Sequence, residues 1–135
     1  MSPPTTFRGR FSGQMAAVTG GADGLGFAIA ERLVQEGASV WILDRDEQKG
    51  AAAAARLGAR TQALALDITD EPAVGAAFAR IHAAGERLDV VVNSAGIVGP
   101  NHRRITETPT DGYEQVLRIN LFGSFLVCKH ALGQM

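Results

Sequence analysis

The 135-residue sequence holds one cysteine, Cys128, one tryptophan, one tyrosine, Tyr113, and only two lysines, Lys49 and Lys129. A lone cysteine excludes an intrachain disulfide and a thiolate metal cage. His82, His102 and His130 have no ligand spacing with a carboxylate partner, so no metal site is expected and they read as surface or packing residues. No stretch reaches about 18 apolar residues. Met1 to Gly13 carries Pro3, Pro4, Arg8 and Arg10 with no apolar segment, which argues against a secretory signal. A cytoplasmic location away from membranes is the expectation. Neither sign of charge dominates, with 13 basic against 14 acidic side chains and no basic stripe longer than Arg103-Arg104, so there is no electrostatic reason to bind nucleic acid.

What is present is 46% hydrophobic residues and 16 glycines, the profile of one soluble globular domain. Four short runs rich in Val, Ile and Leu, from Met15 to Thr19, Ser39 to Asp44, Thr61 to Leu66 and Leu88 to Asn93, read as strands buried on both faces. Helix-period segments lie between them. Ile29, Ala30, Leu33 and Val34 share one face, with Glu31, Arg32, Gln35 and Glu36 on the other, and Val74, Ala77, Phe78 and Ile81 form a second apolar face. Gly37, Gly58 and Gly85 fall where each helix must stop, and Asp70 is placed to cap the helix that Pro72 opens. The segment from Asp46 to Leu57 favours helix through its alanines but carries little amphipathic signal.

Strands alternating with helices imply right-handed crossovers and an α/β fold, a doubly wound parallel sheet of Rossmann type. Growth outward from the first strand predicts the order 3-2-1-4, with Leu88 to Asn93 at an edge. Residues 1–12 read as an N-terminal extension and 13–135 as one domain. The run Leu121 to Met135 stops without a glycine cap or polar tail, which leads to the expectation that the domain is incomplete at its C-terminus.

Directly after the first run comes Thr19-Gly20-Gly21-Ala22-Asp23-Gly24-Leu25-Gly26. Gly20 permits a tight turn, Gly24 lets backbone approach a pyrophosphate, and Gly26 lets the following helix pack closely, with its N-terminal amides facing the anion. Glycines also serve any sharp strand-to-helix turn, so the loop by itself decides nothing. Asp44 ends the second run, where a carboxylate can accept both ribose hydroxyls of an adenosine; alternatively it caps the next helix, as Asp46 could equally well. In the ribose reading a 2′-phosphate would meet a carboxylate, which favours NAD over NADP, although Arg45 could bind that phosphate. Asp67 and Ile68 offer a carboxylate for the adenine amino group and an apolar wall, or a further helix-start Asp. In Asn93-Ser94-Ala95-Gly96 small residues let backbone approach a ligand. All four segments sit at carboxyl ends of strands, the side on which open α/β sheets bind ligands.

With these motifs in order, the chain from about Phe11 to Met135 resembles the N-terminal half of a short-chain dehydrogenase/reductase. That family's TGxxxGxG loop is present as Thr19 to Gly26, and its NNAG motif as Asn93 to Gly96, with Ser94 replacing the second Asn. The resemblance implies NAD-dependent hydride transfer with a small-molecule alcohol or carbonyl substrate, and a homo-oligomeric full-length form. It implies that Asp67 and Ile68 contact adenine, that Asn93 and Gly96 flank the cofactor, and that Asn120 is the helix Asn of the catalytic tetrad, which holds a water in a proton relay by bending a long helix. From spacing alone Asn120 is ambiguous: Tyr113, Val116, Leu117, Asn120, Leu121, Ser124, Cys128 and Leu132 follow a 3-4 repeat that places it on the inward face of a helix, where a structural Asn would serve as well. The family's Tyr-x-x-x-Lys pair is absent, since Leu117 stands four residues after Tyr113. The chain alone is therefore expected to be inactive, the cofactor-binding half of an oxidoreductase, with a noncatalytic dinucleotide-binding module as the alternative. A methyltransferase-like domain also uses a glycine loop and an acid ending its second strand, but the Thr-Gly opening and Asn93 to Gly96 speak against it.

Overall fold

The computed structural model describes residues 8–85 and 87–135. The apolar runs form strands β1 (Met15–Thr19), β2 (Ser39–Asp44), β3 (Thr61–Ala65) and β4 (Leu88–Asn93), all paired in parallel in the order β3-β2-β1-β4. β3 ends one residue before Leu66, whose N–H still bonds the Asp44 carbonyl at 2.9 Å. Because side chains alternate along a strand, each strand feeds two cores. Met15, Ala17, Trp41 and Leu43 enter one core with Phe78 and Ile81; Ala16, Val18, Val40 and Ile42 enter the other with Ala30 and Leu33. Helices α1 (Gly24–Gln35) and α2 (Glu47–Leu57) cover the second face. Helices α3 (Glu71–Ala83) and α5 (Ser124–Leu132) belong to the first and pack against each other, whereas α4 (Thr110–Leu117) buries no residue of its own.

The helix boundaries follow from local chemistry. Asp46 caps α2 by accepting the Lys49 N–H at 3.0 Å, and Asp70 caps α3 by accepting the Ala73 N–H at 3.1 Å. Gly37, Gly58 and Gly85 follow the ends of α1, α2 and α3 with φ of 107°, 95° and 91°, the left-handed backbone that stops a helix cheaply.

Two expectations about helix faces fail. Ile29, expected on the inner face of α1, is 38% exposed, while Glu36, expected on the polar face, is completely buried. Glu36 lies at the end of α1, where the chain turns under the sheet, and its carboxylate accepts from the guanidinium groups of Arg10 and Arg32. Its carbonyl accepts the Phe11 N–H at 3.0 Å, and the Phe11 ring packs against the α1/α2 core. Of the expected extension, residues 1–7 lie outside the described residues, whereas Arg10 and Phe11 are joined to α1.

The second failure concerns the C-terminal helices, where of the predicted inward face only Val116 and Ser124 are partly buried. Tyr113, Leu117, Leu121 and Leu132 are 57%, 40%, 66% and 71% exposed, and Cys128 is exposed. The inner side carries Ile119, Gly123, Leu126, Val127 and Ala131, one position earlier in phase. Gly112 and Gly123 explain the choice: a Cβ on Gly112 would lie 2.5 Å from Pro100 Cγ, and one on Gly123 would lie 2.7 Å from Ile68 Cδ1. The glycines let the helices approach the body closely, a preference that hydrophobic periodicity does not register. Between α4 and α5, Arg118–Gly123 winds as a π-helical turn.

The two guanidinium groups, Arg10 foremost, hold the Glu36 carboxyl below the usual carboxylate range. A depressed folded-state value contributes stability that is present above the unfolded-state value, about pH 4.3, and is lost as pH falls through the folded value. Glu36→Gln should therefore melt at a lower temperature than the unmutated chain at pH 7, and the gap should close below about pH 4. Thermal melts followed by circular dichroism across that range would measure it.

Candidate functional site

A cleft of about 660 Å³ opens at the carboxyl ends of the strands, beside the point where the chain reverses its direction of growth between β1 and β4. Each strand contributes to it: Gly20 and Asp23 to Gly26 after β1, Leu43 to Arg45 at β2, Leu66 to Thr69 after β3, and Ser94 to Ile97 after β4. A further wall comes from outside the strand ends. Gln115, Arg118 and Ile119, from α4 and the π-helical turn, also line the cleft. Their nearness to Asn120 in sequence was the only available signal.

The glycine turn is built by close contacts. Gly20 has φ of 62°, and a Cβ there would sit 2.8 Å from Ala95 Cα; a Cβ on Gly26 would collide with the Gly20 carbonyl. Gly24 has φ of 55°, and a Cβ there would meet nothing within 4 Å, so its open side faces free space. Asp23 caps α1 by accepting the Gly24 N–H at 2.7 Å. The next residues, Leu25 and Gly26, lie in the first helical turn, where backbone N–H groups lack intrahelical acceptors, and both line the cleft.

Asp44 does not cap α2, a role that belongs to Asp46. Its carboxylate is held by backbone instead, accepting the Ala22 N–H at 3.2 Å and the Asp46 N–H at 3.0 Å. One lone pair per oxygen remains for a ligand. Asp67 Oδ1 accepts both the Thr69 N–H at 2.9 Å and the Thr69 hydroxyl at 2.7 Å. These bonds, the backbone one first, hold its carboxyl below the usual range, with further help from the positive charges of Arg45 and Arg118. Ile68 is 5% exposed and belongs to the core while also lining the cleft.

Thr19, Asn93 and Asn120 stand behind the cleft walls. The fully buried Thr19 hydroxyl donates to Asn93 Oδ1 at 2.7 Å and accepts the N–H groups of Ser94 and Ala95 at 3.1 and 3.2 Å. Asn93 Nδ2 donates to Ser124 Oγ at 2.6 Å. Asn120 is solvent-exposed, yet its amide grips the backbone of Ile97: Oδ1 accepts the Ile97 N–H at 2.9 Å and Nδ2 donates to the Ile97 carbonyl at 2.8 Å. Gly96 is seated under this clasp, since a Cβ on it would lie 3.2 Å from Asn120 Oδ1. Among the described residues no cluster of His, Cys, Asp or Glu could hold a metal ion, and no helix is long and apolar enough to cross a membrane.

A sequence profile for the family described as short chain dehydrogenase matches residues 14–135. Momilactone A synthase of Oryza sativa subsp. japonica is 39% identical over 124 residues, which is 91% of this chain and 45% of that protein. The 2-dehydro-3-deoxy-L-rhamnonate dehydrogenase (NAD(+)) of Sphingomonas sp. (strain SKA58) is 40% identical over 121 residues, 90% of this chain and 48% of that protein. Among solved structures, 3-ketoacyl-(acyl-carrier-protein) reductase from Brucella melitensis complexed with NADH superposes with a TM-score of 0.87 at 28% identity, covering 92% of this chain and 51% of that one. The chain spans about half the length of the curated relatives it matches.

Thr19→Val keeps the shape of the side chain and removes the hydroxyl, leaving Asn93 Oδ1 and two backbone N–H groups without their partner. The expected loss is about 2 kcal/mol of unfolding free energy, read as a lower urea midpoint with an unchanged slope.

Proposed function

The chain belongs to the short-chain dehydrogenase family, and from that premise we propose that it is the NAD-binding half of an oxidoreductase that transfers a hydride between a nicotinamide cofactor and the hydroxyl or carbonyl carbon of a small-molecule substrate. The observation that carries the reading is the convergence of the glycine turn, Asp44, Asp67 and the Ala95-Gly96 backbone on one cleft. The open side of Gly24 and the first-turn N–H groups of Leu25 and Gly26, which follow the one taken by the Asp23 cap, suit a pyrophosphate. Asp44, fixed by two backbone N–H groups, suits the ribose hydroxyls, and Asp67, charged at neutral pH, suits the adenine amino group beside the edge of Ile68.

NAD supplies the hydride acceptor when bound. This chain's own residues bind and orient it: Thr19 and Asn93 hold the two loops in register, and Asn120, on the π-helical turn, holds Ile97. Arg45 could pair with a 2′-phosphate, but Asp44 opposes it, so NAD is the preferred cofactor. The Tyr-x-x-x-Lys pair is missing, and the single tyrosine, Tyr113, is 57% exposed with Leu117 four residues on. By itself the chain should bind dinucleotide without turnover, the property shared with the second reading, a noncatalytic binding module. The presence of hydride transfer in the longer protein would separate the two. The reading also carries a cytoplasmic, homo-oligomeric full-length enzyme that binds neither nucleic acid nor membrane.

Isothermal titration of the 135-residue chain with NAD and NADP tests the assignment. A charge-assisted hydrogen bond contributes roughly 1.5–3 kcal/mol, so NAD should bind about ten- to a hundredfold more tightly than NADP, and Asp44→Ala should shrink that ratio. Equal affinities for the two dinucleotides would overturn the role of Asp44, and the absence of binding to either would overturn the dinucleotide reading.

A further inference from the structure

We propose that Ser124 is a positioning residue for the cleft: its hydroxyl, held by Asn93 at the end of β4, sets the π-helical turn on which Asn120 grips Ile97. The effect on NAD rests on the dinucleotide reading of the cleft, whereas the structural link does not.

The direction of every bond in the chain is forced. Thr19 Oγ1 already accepts two N–H groups, which uses both lone pairs, so toward Asn93 it can only donate. Asn93 must then turn Oδ1 to Thr19 and Nδ2 to Ser124. Ser124 Oγ, accepting that amide proton, has its own proton directed at the Asn120 carbonyl, 2.6 Å away. The Ser124 N–H is engaged elsewhere, on the Leu121 carbonyl. In a regular helix the carbonyl of residue 120 would take the N–H of residue 124; here it takes the hydroxyl of the same residue. Back-bonding of this kind bends helices, and an inserted side-chain group is one of the recognised causes of a break in the ladder. The link thus joins the end of β1, the end of β4 and the helical wall in one connected path.

The wall is what touches the cleft. Arg118 and Ile119, which line it, stand on the same turn as Asn120, and Asn120 in turn fixes Ile97, a lining residue of the loop after β4. Removing the Ser124 hydroxyl leaves Asn93 Nδ2 and the Asn120 carbonyl without this partner, and the turn can relax toward an ordinary helix. Relaxation would carry Arg118, Ile119 and the clasp away from their places while leaving the sheet intact.

The test compares the unmutated 135-residue chain with Ser124→Ala and Ser124→Thr. Alanine favours helix more than serine does, so the first variant should keep its fold and show an unchanged far-ultraviolet circular dichroism spectrum. Two quantities are read: hydrogen exchange of the Ile97 amide by NMR, and affinity for NAD by titration. Ser124→Ala should exchange the Ile97 amide roughly tenfold faster and bind NAD roughly three- to tenfold more weakly, and Ser124→Thr should restore both. Unchanged exchange at Ile97 in folded Ser124→Ala overturns the link. Faster exchange with unchanged NAD affinity overturns its importance to the cleft. If the unmutated chain does not bind NAD, the dinucleotide reading is what fails, and the exchange rates alone decide for or against the link. A Ser124→Thr variant that behaves like Ser124→Ala would also overturn the assignment to the hydroxyl.

Discussion

Thr19 has one hydroxyl proton and two oxygen lone pairs, and all three are used at the junction of β1 and β4, where water is excluded. A buried hydroxyl that lost any of them would bear a desolvation cost with nothing to offset it. The register that sets Thr19 opposite Asn93 makes the arrangement possible. By holding the Ser94 and Ala95 amides, Thr19 folds the chain after β4 back over the end of β1, and Ala95 then lies where only a glycine at position 20 leaves room. The same fold-back presents Ile97 to Asn120. The floor of the cleft and its helical wall therefore share one origin.

Charge in the cleft is balanced rather than one-signed. Asp44 and Asp67 are each tied to backbone N–H groups, so their carboxylates are placed by the loops themselves and lose little freedom on meeting a ligand. Arg45 and Arg118 stand near Asp67 and favour its charged form. Glu36 is a different case. Its carboxylate is buried at the far end of α1, where two arginines neutralise it, and it joins the residues before β1 to the body of the domain.

The C-terminal helices show where pattern reading goes astray. The 3-4 repeat of Tyr113, Val116, Leu117, Asn120, Leu121, Ser124, Cys128 and Leu132 points to one face, yet only Val116 and Ser124 of that face are partly buried, and the protein packs the neighbouring phase, which holds Gly112 and Gly123, against its body. Periodicity counts apolar side chains and scores glycine as nothing, whereas packing rewards the closest approach of two backbones. The π-helical turn is equally invisible to a periodic reading. It depends on a hydroxyl at Ser124 meeting an amide from Asn93, 31 residues away in sequence. Asn120, which spacing leaves ambiguous and only the family resemblance singles out, does have partners, but they are the backbone of Ile97 rather than groups in a core.

The sequence by itself determined the strands, the strand order and the helix stops. The strands and helix stops depend on local signals, namely runs of β-branched residues, glycines where φ must be positive, and Asp46 and Asp70 at helix starts, and the strand order follows from growth of a doubly wound sheet outward from its first strand. It also determined which loops meet, because the carboxyl ends of parallel strands must lie side by side. Only the tertiary structure decided which face of the last helices turns inward, that Glu36 is buried, and that Gln115, Arg118 and Ile119 close the cleft. It likewise decided that Thr19 and Asn93 act from behind the wall. These outcomes depend on contacts between residues distant in the chain, where hydrogen-bond valence and the space left by an absent Cβ select among arrangements that local propensity leaves equal.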